Sequence, residues 1–157
     1  MKIKLLVVGK TDHISLQGLV SEYQERLQHY IRFELEVIPA LKGTKNMSVL
    51  EQQEKEGEVI LSRIAGSDVV VLLDEKGKQL SSVDFASYLQ KLMNAGSRQV
   101  VFVIGGPFGF SEAVYNKGTM KMSLSKMTFS HQMVRLFFVE QLYRGFTILR
   151  NEPYHHQ

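Results

Sequence analysis

Three short segments carry the residue types that a ligand site needs. Gly105-Gly106-Pro107-Phe108-Gly109-Phe110 places three glycines directly after an apolar run. Glycine exposes bare backbone and accepts positive φ. Such a loop can hold a nucleoside by main-chain hydrogen bonds, although a tight turn between strand and helix accounts for the same residues. It is not a P-loop, because no Gly-Lys-Ser/Thr follows. Nor is it a dinucleotide fingerprint, whose glycine spacing differs and which follows the first strand. Here the first strand is followed by Gly9-Lys10-Thr11, with a single glycine, which disfavours an ordinary Rossmann-type methyltransferase or dehydrogenase.

The second segment, Ser123-Leu124-Ser125-Lys126-Met127-Thr128-Phe129-Ser130, mixes hydroxyls with apolar residues ahead of a helix. Free amides at a helix start can bind an anion or a carboxylate. Simple capping explains Ser130 but not the length of the segment. The third is Leu73-Asp74, at the end of another apolar run. A tail, Asn151-Glu152-Pro153-Tyr154-His155-His156-Gln157, adds an aromatic ring and imidazoles. These can stack on and hydrogen-bond an RNA base; a disordered terminus is the alternative. No HExxH or GxSxG motif occurs, there is no cysteine, and His13 and His29 read as surface residues, so no metal site is expected.

The elements that must position these segments follow from periodicity. Lys2 to Val8, rich in Leu and Val and closed by Gly9, and the continuous apolar runs Val69 to Leu73 and Val100 to Ile104 are read as buried strands. Phe33, Leu35 and Val37 alternate with Glu34 and Glu36 up to Pro39, and Lys121 to Leu124 makes a last short strand. Helical spacing runs from about Ser15 to Tyr30 and through Phe85, Leu89, Leu92 and Met93 to Gly96. Ser48 with Glu51 forms a capping box for a helix closed by Gly66. Ser111 caps a short helix ending near Gly118, and Ser130 caps the last, running to about Leu149. Lys42 to Asn46 reads as a polar loop, and Asp74 to Gln79 as a polar turn about Gly77. The class is α/β: a mostly parallel sheet between helix layers, forming one domain over residues 1–157. Ligands of such sheets bind beyond the carboxyl ends of the strands, where the three segments lie.

The last helix, with Met133, Val134, Leu136, Phe137, Phe138, Val139, Leu142, Tyr143, Phe146, Ile148 and Leu149, has little polar surface. Internal core and a dimer interface both account for so wide a girdle; one apolar stripe suffices to cover a sheet, which favours the dimer. With 44% hydrophobic residues a real core is expected, and no run approaches a membrane span. The absence of cysteine fits a reducing cytoplasm. The net charge is +3; after Glu112 the chain carries Lys117, Lys121, Lys126, Arg135, Arg144 and Arg150 against Glu140 and Glu152. That basic third suits nucleic acid, or is a solvated basic face.

Taken together the segments resemble the RlmH (YbeA) family of SPOUT methyltransferases. The resemblance runs from Met1-Lys2-Ile3-Lys4 and Val7-Val8-Gly9-Lys10, through Lys55-Glu56-Gly57, Leu73 to Lys78 and Phe102 to Pro107, to Ser123–Phe129, His131-Gln132-Met133-Val134-Arg135, Glu140-Gln141-Leu142-Tyr143-Arg144 and Tyr154-His155. It implies a deep C-terminal trefoil knot, a homodimer packed through the last helix, and methylation of N3 of pseudouridine 1915 in bacterial 23S rRNA, with the assembled ribosome as partner. It implies S-adenosylmethionine held mainly by backbone at Leu73, Gly105, Leu124, Ser125, Lys126, Met127, Thr128 and Phe129. It points to Arg144, Tyr154 and His155 as catalytic groups reaching the partner's cofactor site. An ion pair with Glu140 at i,i+4 spacing is the other reading of Arg144. The chain departs from the family at His156, where members carry Lys or Arg. Another SPOUT activity, such as ribose 2′-O-methylation, or a catalytically silent RNA-binding module are the competing functions.

Overall fold

Successive residues of a strand point to opposite faces, and in this protein both faces are covered. Ile3, Leu5 and Val7 of β1 (Lys2–Val8) enter one core, while Leu6 and Val8 enter the other. Val100, Phe102 and Ile104 of β4 (Gln99–Ile104) divide from Val101 and Val103 in the same way. In β3 (Val69–Gln79), Val71 faces one core and Val70 and Leu72 the other. This two-sided burial is why Leu5–Val8, Val69–Leu73 and Val100–Ile104 are apolar throughout rather than alternating, while Lys2 and Lys4 at the start of β1 pair with Glu34 and Glu36.

The computed structural model describes residues 1–156. The remaining elements are α1 (Ile14–Leu27), β2 (Arg32–Ile38), α2 (Val49–Ser62), α3 (Ser82–Asn94), α4 (Glu112–Lys117), β5 (Met120–Ser123) and α5 (Met133–Leu149), with a single 3-10 turn at Thr44–Asn46. The five strands are all parallel, in the order β2-β1-β4-β3-β5. α1, α3 and α5 cover one face, and α2 and α4 the other. Ser48, Ser81 and Ser111 cap α2, α3 and α4 by accepting from the amides of Glu51, Asp84 and Val114. Among the described residues no helix is long and apolar enough to cross a membrane.

Several readings change, the smallest being that α2 ends at Ser62, short of Gly66. α1 begins at Ile14, ahead of Ser15, and ends at Leu27, short of Tyr30. Most of the α5 girdle is internal: the helix packs between α1 and α3, and Phe138, Val139, Leu142 and Phe146 are buried in this chain's own core. Only Met133 and Phe137, each 40% exposed, remain as large apolar groups facing outward. The girdle is wide because the helix has three neighbours, the sheet and two helices.

The largest change is that Asp74 to Gln79 is not a turn. It continues β3, because β5 supplies a partner: after a register shift beyond Leu73, Lys78 pairs with Met122 and Gln79 with Ser123. Gly77 serves this contact rather than a turn, since a Cβ there would lie 2.6 Å from both N and C of Met122. Backbone cannot move aside as a rotamer can. Gly77→Ala is therefore expected to cost about 1–3 kcal/mol, the usual range for overpacking. Urea denaturation of the two proteins measures it, as a lower midpoint at unchanged slope.

Candidate functional site

The carboxyl ends of β3, β4 and β5 surround one cavity of about 650 Å³, a size that suits a nucleoside-bearing ligand. Its walls are Leu73 to Lys76 from β3, Ile104 to Phe110 after β4, and Ser123 to Ser125 with Met127 to His131 after β5. All three segments singled out by residue type therefore meet in one place. Of the expected cofactor contacts, Leu73, Gly105, Leu124, Ser125, Met127, Thr128 and Phe129 line it, whereas Lys126 is exposed and does not. Two carboxylates, Asp74 and Glu75, stand in the wall against one lysine, Lys76. Tyr115 donates to Asp74, and burial together with that bond pushes its phenol up to about 12.

The glycines of the first loop have internal causes. A Cβ on Gly105 would come within 2.8 Å of the buried Phe110 ring, and one on Gly106 within 2.6 Å of the Glu56 carboxylate. Gly109 sits at φ +77, where other L-residues are strained. The loop's shape is thus set by packing as well as by any ligand. A bulky residue at Gly105 would disturb Phe110 too, so the fold would not stay untouched.

The second loop is tied down by its own hydroxyls. Ser123 Oγ accepts from the Ser125 amide at 3.3 Å and donates to the Ser125 carbonyl at 2.7 Å, and Ser125 Oγ accepts from the Met127 amide at 2.9 Å. Ser130 is not the cap of α5 as expected: the N-cap is Gln132, which makes no side-chain capping bond, although Ser130 Oγ accepts from the Met133 amide at 3.0 Å just ahead of the helix.

Sequence reasoning missed Arg135. Its guanidinium is fully buried and pinned to neutral oxygens: Nη2 to the Val8 carbonyl at 2.8 Å, Nη1 to Thr11 Oγ1 at 2.9 Å and Nε to the His131 carbonyl at 3.2 Å. Beside it Gln132 donates to the Lys10 carbonyl and accepts from the Asp12 amide. The far wall of the cavity is thereby locked to the end of β1. An arginine set among Met133, Val134, Leu136 and Phe137 was the available signal.

Arg144, Tyr154 and His155 also come together, but away from the cavity. Arg144 lies ten residues after Val134 on α5, about 15 Å along the axis. Arg144 donates from Nε and Nη2 to Glu140 and from Nη1 to His155 Nδ1 at 3.3 Å. The Tyr154 hydroxyl donates to Glu140 Oε1 at 3.0 Å and lies 3.1 Å from the Tyr23 hydroxyl. The Arg144 guanidinium sits 4.7 Å from the Tyr154 ring centroid, and Tyr143 packs edge-on against that ring. The tail is docked, not loose: Asn151 turns the chain at φ 53, and Glu152 accepts from the Tyr30 hydroxyl. His156 is exposed, and Gln157 lies outside the described residues.

Burial, then its bonds with Tyr23 and Glu140, raises the Tyr154 phenol above its ordinary value, so it is a donor at neutral pH. Arginine can only donate, so His155 Nδ1 accepts in this contact, and its Nε2 is buried without a partner among the described residues. The cluster presents donors around a carboxylate already engaged by Arg144 and Tyr154.

The family model described as "Predicted SPOUT methyltransferase" matches residues 1–155. Proteins named Ribosomal RNA large subunit methyltransferase H from Flavobacterium johnsoniae and Christiangramia forsetii are each 63% identical to this chain over 157 residues, covering 100% of both sequences. The protein of that name from Parabacteroides distasonis is 57% identical over the same span. Among solved structures, the SpoU methyltransferase AviRb from Streptomyces viridochromogenes matches 96% of this chain and 61% of that one at 13% identity, with a TM-score of 0.44, a likeness too slight to carry a conclusion.

Proposed function

The chain belongs to the SPOUT methyltransferase family, and we propose that it transfers the methyl group of S-adenosylmethionine to N3 of a pseudouridine in large-subunit ribosomal RNA, position 1915 of 23S rRNA. The observation that carries this reading is the single cavity into which the Leu73, Gly105 and Leu124–Phe129 segments converge.

The cavity suits the cofactor. Its loops present backbone and hydroxyls for a nucleoside, apolar Leu73, Leu124 and Phe129 for a base, and Asp74 and Glu75 for a positive charge. When bound, S-adenosylmethionine supplies a methyl group already activated on its sulfonium. Leu73, Gly105, Leu124, Ser125, Met127, Thr128 and Phe129 would hold it. The trefoil knot implied by the resemblance belongs to the same proposal.

The separation of cavity and tail cluster along α5 favours a site shared by two chains. Met133, Phe137, Glu140 and Arg144 follow at spacings of four, three and four residues and so form one outward stripe, apolar at the cavity end and polar at the tail end. Phe129 extends the apolar end by packing on Phe137, with centroids 4.9 Å apart. Two such helices related by a twofold axis and packed antiparallel put the tail cluster of one chain beside the cavity of the other. A dimer through α5 is therefore proposed from Phe129, Met133 and Phe137, rather than from the wider girdle.

The donors there suit the target base. In a uracil-type ring, N3 lies between two carbonyl oxygens. The Arg144 Nη protons not engaged by Glu140 and His155 could engage one of those oxygens, favouring the anion left when N3 gives its proton to water. Holding N3 in line with the methyl group supplies much of the remaining rate.

The test is incubation with ribosomes lacking the modification, with labelled cofactor, followed by mapping. Label on N3 of one pseudouridine is the expected result. Label on a ribose or another nucleotide would favour a different SPOUT activity, and no label a silent RNA-binding module.

A further inference from the structure

We infer that Glu56 is a positioning residue for the cofactor: from outside the cavity, its carboxylate fixes the glycine loop in its binding shape before any ligand arrives. The inference rests on the cofactor reading above and names a residue that reading does not use.

Glu56 stands on α2, behind the loop, and does not line the cavity. Its Oε1 accepts from the Gly106 amide at 2.9 Å. A Cβ on residue 106 would lie 2.6 Å from Oε2 and 3.1 Å from Oε1, so the carboxylate occupies the space that any other residue would need. One turn earlier on the same helix, Gln53 donates from Nε2 to the Phe108 carbonyl at 2.6 Å. The next residue, Gly57, brings the helix close: a Cβ there would lie 2.3 Å from Ser111 Oγ. Residues 53, 56 and 57 thus hold residues 108, 106 and 111, spanning the loop from strand end to helix cap.

The energetics point away from a purely structural role. Glu56 is half-buried and makes no salt bridge among the described residues. Burying an unpaired acid is unfavourable unless hydrogen bonds repay it. Burial indeed raises its carboxyl, with the Gly106 amide and, less strongly, the nearby His131 opposing that shift. What the carboxylate adds is a strong, charge-assisted acceptor for one loop amide. A loop held in its bound shape loses less freedom on binding, which appears as affinity.

The experiment uses the full chain and two variants, Glu56→Ala and Glu56→Gln. Calorimetric titration with S-adenosylmethionine and its demethylated product measures affinity, and amide exchange without cofactor measures the order of residues 105–110. Glu56→Ala is expected to weaken both ligands about ten- to a hundredfold, as loss of a hydrogen bond to a charged group does. The Gly106 amide should exchange faster in that variant, while kcat at saturating cofactor and KM for ribosomes stay near the parent values. Glu56→Gln should keep most of the affinity, because its amide oxygen accepts the same bond. A lower melting temperature with unchanged affinity would overturn the inference, as would a tenfold loss in a folded Glu56→Gln or rapid Gly106 exchange in the parent protein. These last two readings stand even if Glu56→Ala does not fold. Failure of the parent protein to bind the cofactor would instead overturn the assignment of the cavity.

Discussion

Removing residues 154–157 is expected to lower methyl transfer to ribosomes at least about a hundredfold, the lower end for loss of positioning or acid–base groups. Cofactor affinity should stay near that of the full chain, because none of the tail's described residues lines the cavity. The truncation is not silent in stability. Tyr154 bonds to Glu140 and Tyr23, and its ring packs between Tyr143 and Arg144. A cost of about 1–2 kcal/mol is expected for a partly buried aromatic group of this kind. Activity should therefore be measured well below the melting transition. Arg144→Ala separates the two readings of that residue. If Arg144 engages the target base, transfer falls about as far as in the truncation. If it only pairs with Glu140, turnover stays near normal and a loss of about 1 kcal/mol appears in denaturation alone.

The parts of this protein legible in its sequence are those fixed by local patterns. Val100–Ile104 and Lys2–Val8 announce central strands because both faces are covered, and Ser48, Ser81 and Ser111 each accept the helix amide three residues on. Ser81 was not singled out, although Asp84 follows it at the capping distance. The cavity was legible as well, since a parallel sheet brings its strand ends to one edge. What stayed hidden depends on distant partners. Asp74–Gln79 is polar and contains glycine, so it reads as a turn; only pairing with β5 makes it strand. The α5 girdle reads as surplus apolar area until α1 and α3 are seen beside it. Tyr154 meets Tyr23 across 131 residues, a contact no local pattern encodes. Glu56 and Arg135 look like ordinary charged positions until their backbone partners are known.

The second large effect is expected at Phe137. It is the exposed aromatic of the α5 stripe, stacked on Phe129 at the edge of the cavity. Phe137→Glu should leave the chain folded, since the side chain is already 40% exposed. Facing its own copy across a twofold axis, it would bury two like charges, which costs several kcal/mol. Light scattering should then report the mass of one chain, 17.9 kDa, where the parent protein is expected to give twice that. Cofactor binding should persist, and methyl transfer should fall as far as in the tail truncation. A monomeric variant that still methylates ribosomes would place the whole site within one chain.

Complementation between two inactive chains tests the shared site most directly. Ser125→Trp fills the cavity, and Arg144→Ala removes the guanidinium of the tail cluster; each homodimer should be inactive. Co-expressed, the two chains form mixed dimers in which the intact cavity of one chain faces the intact tail cluster of the other. With random pairing, half the dimers are mixed and each has one working site, so about a quarter of the parent activity should return. If the mixture stays as inactive as either variant alone, cavity and tail do not act across the two subunits.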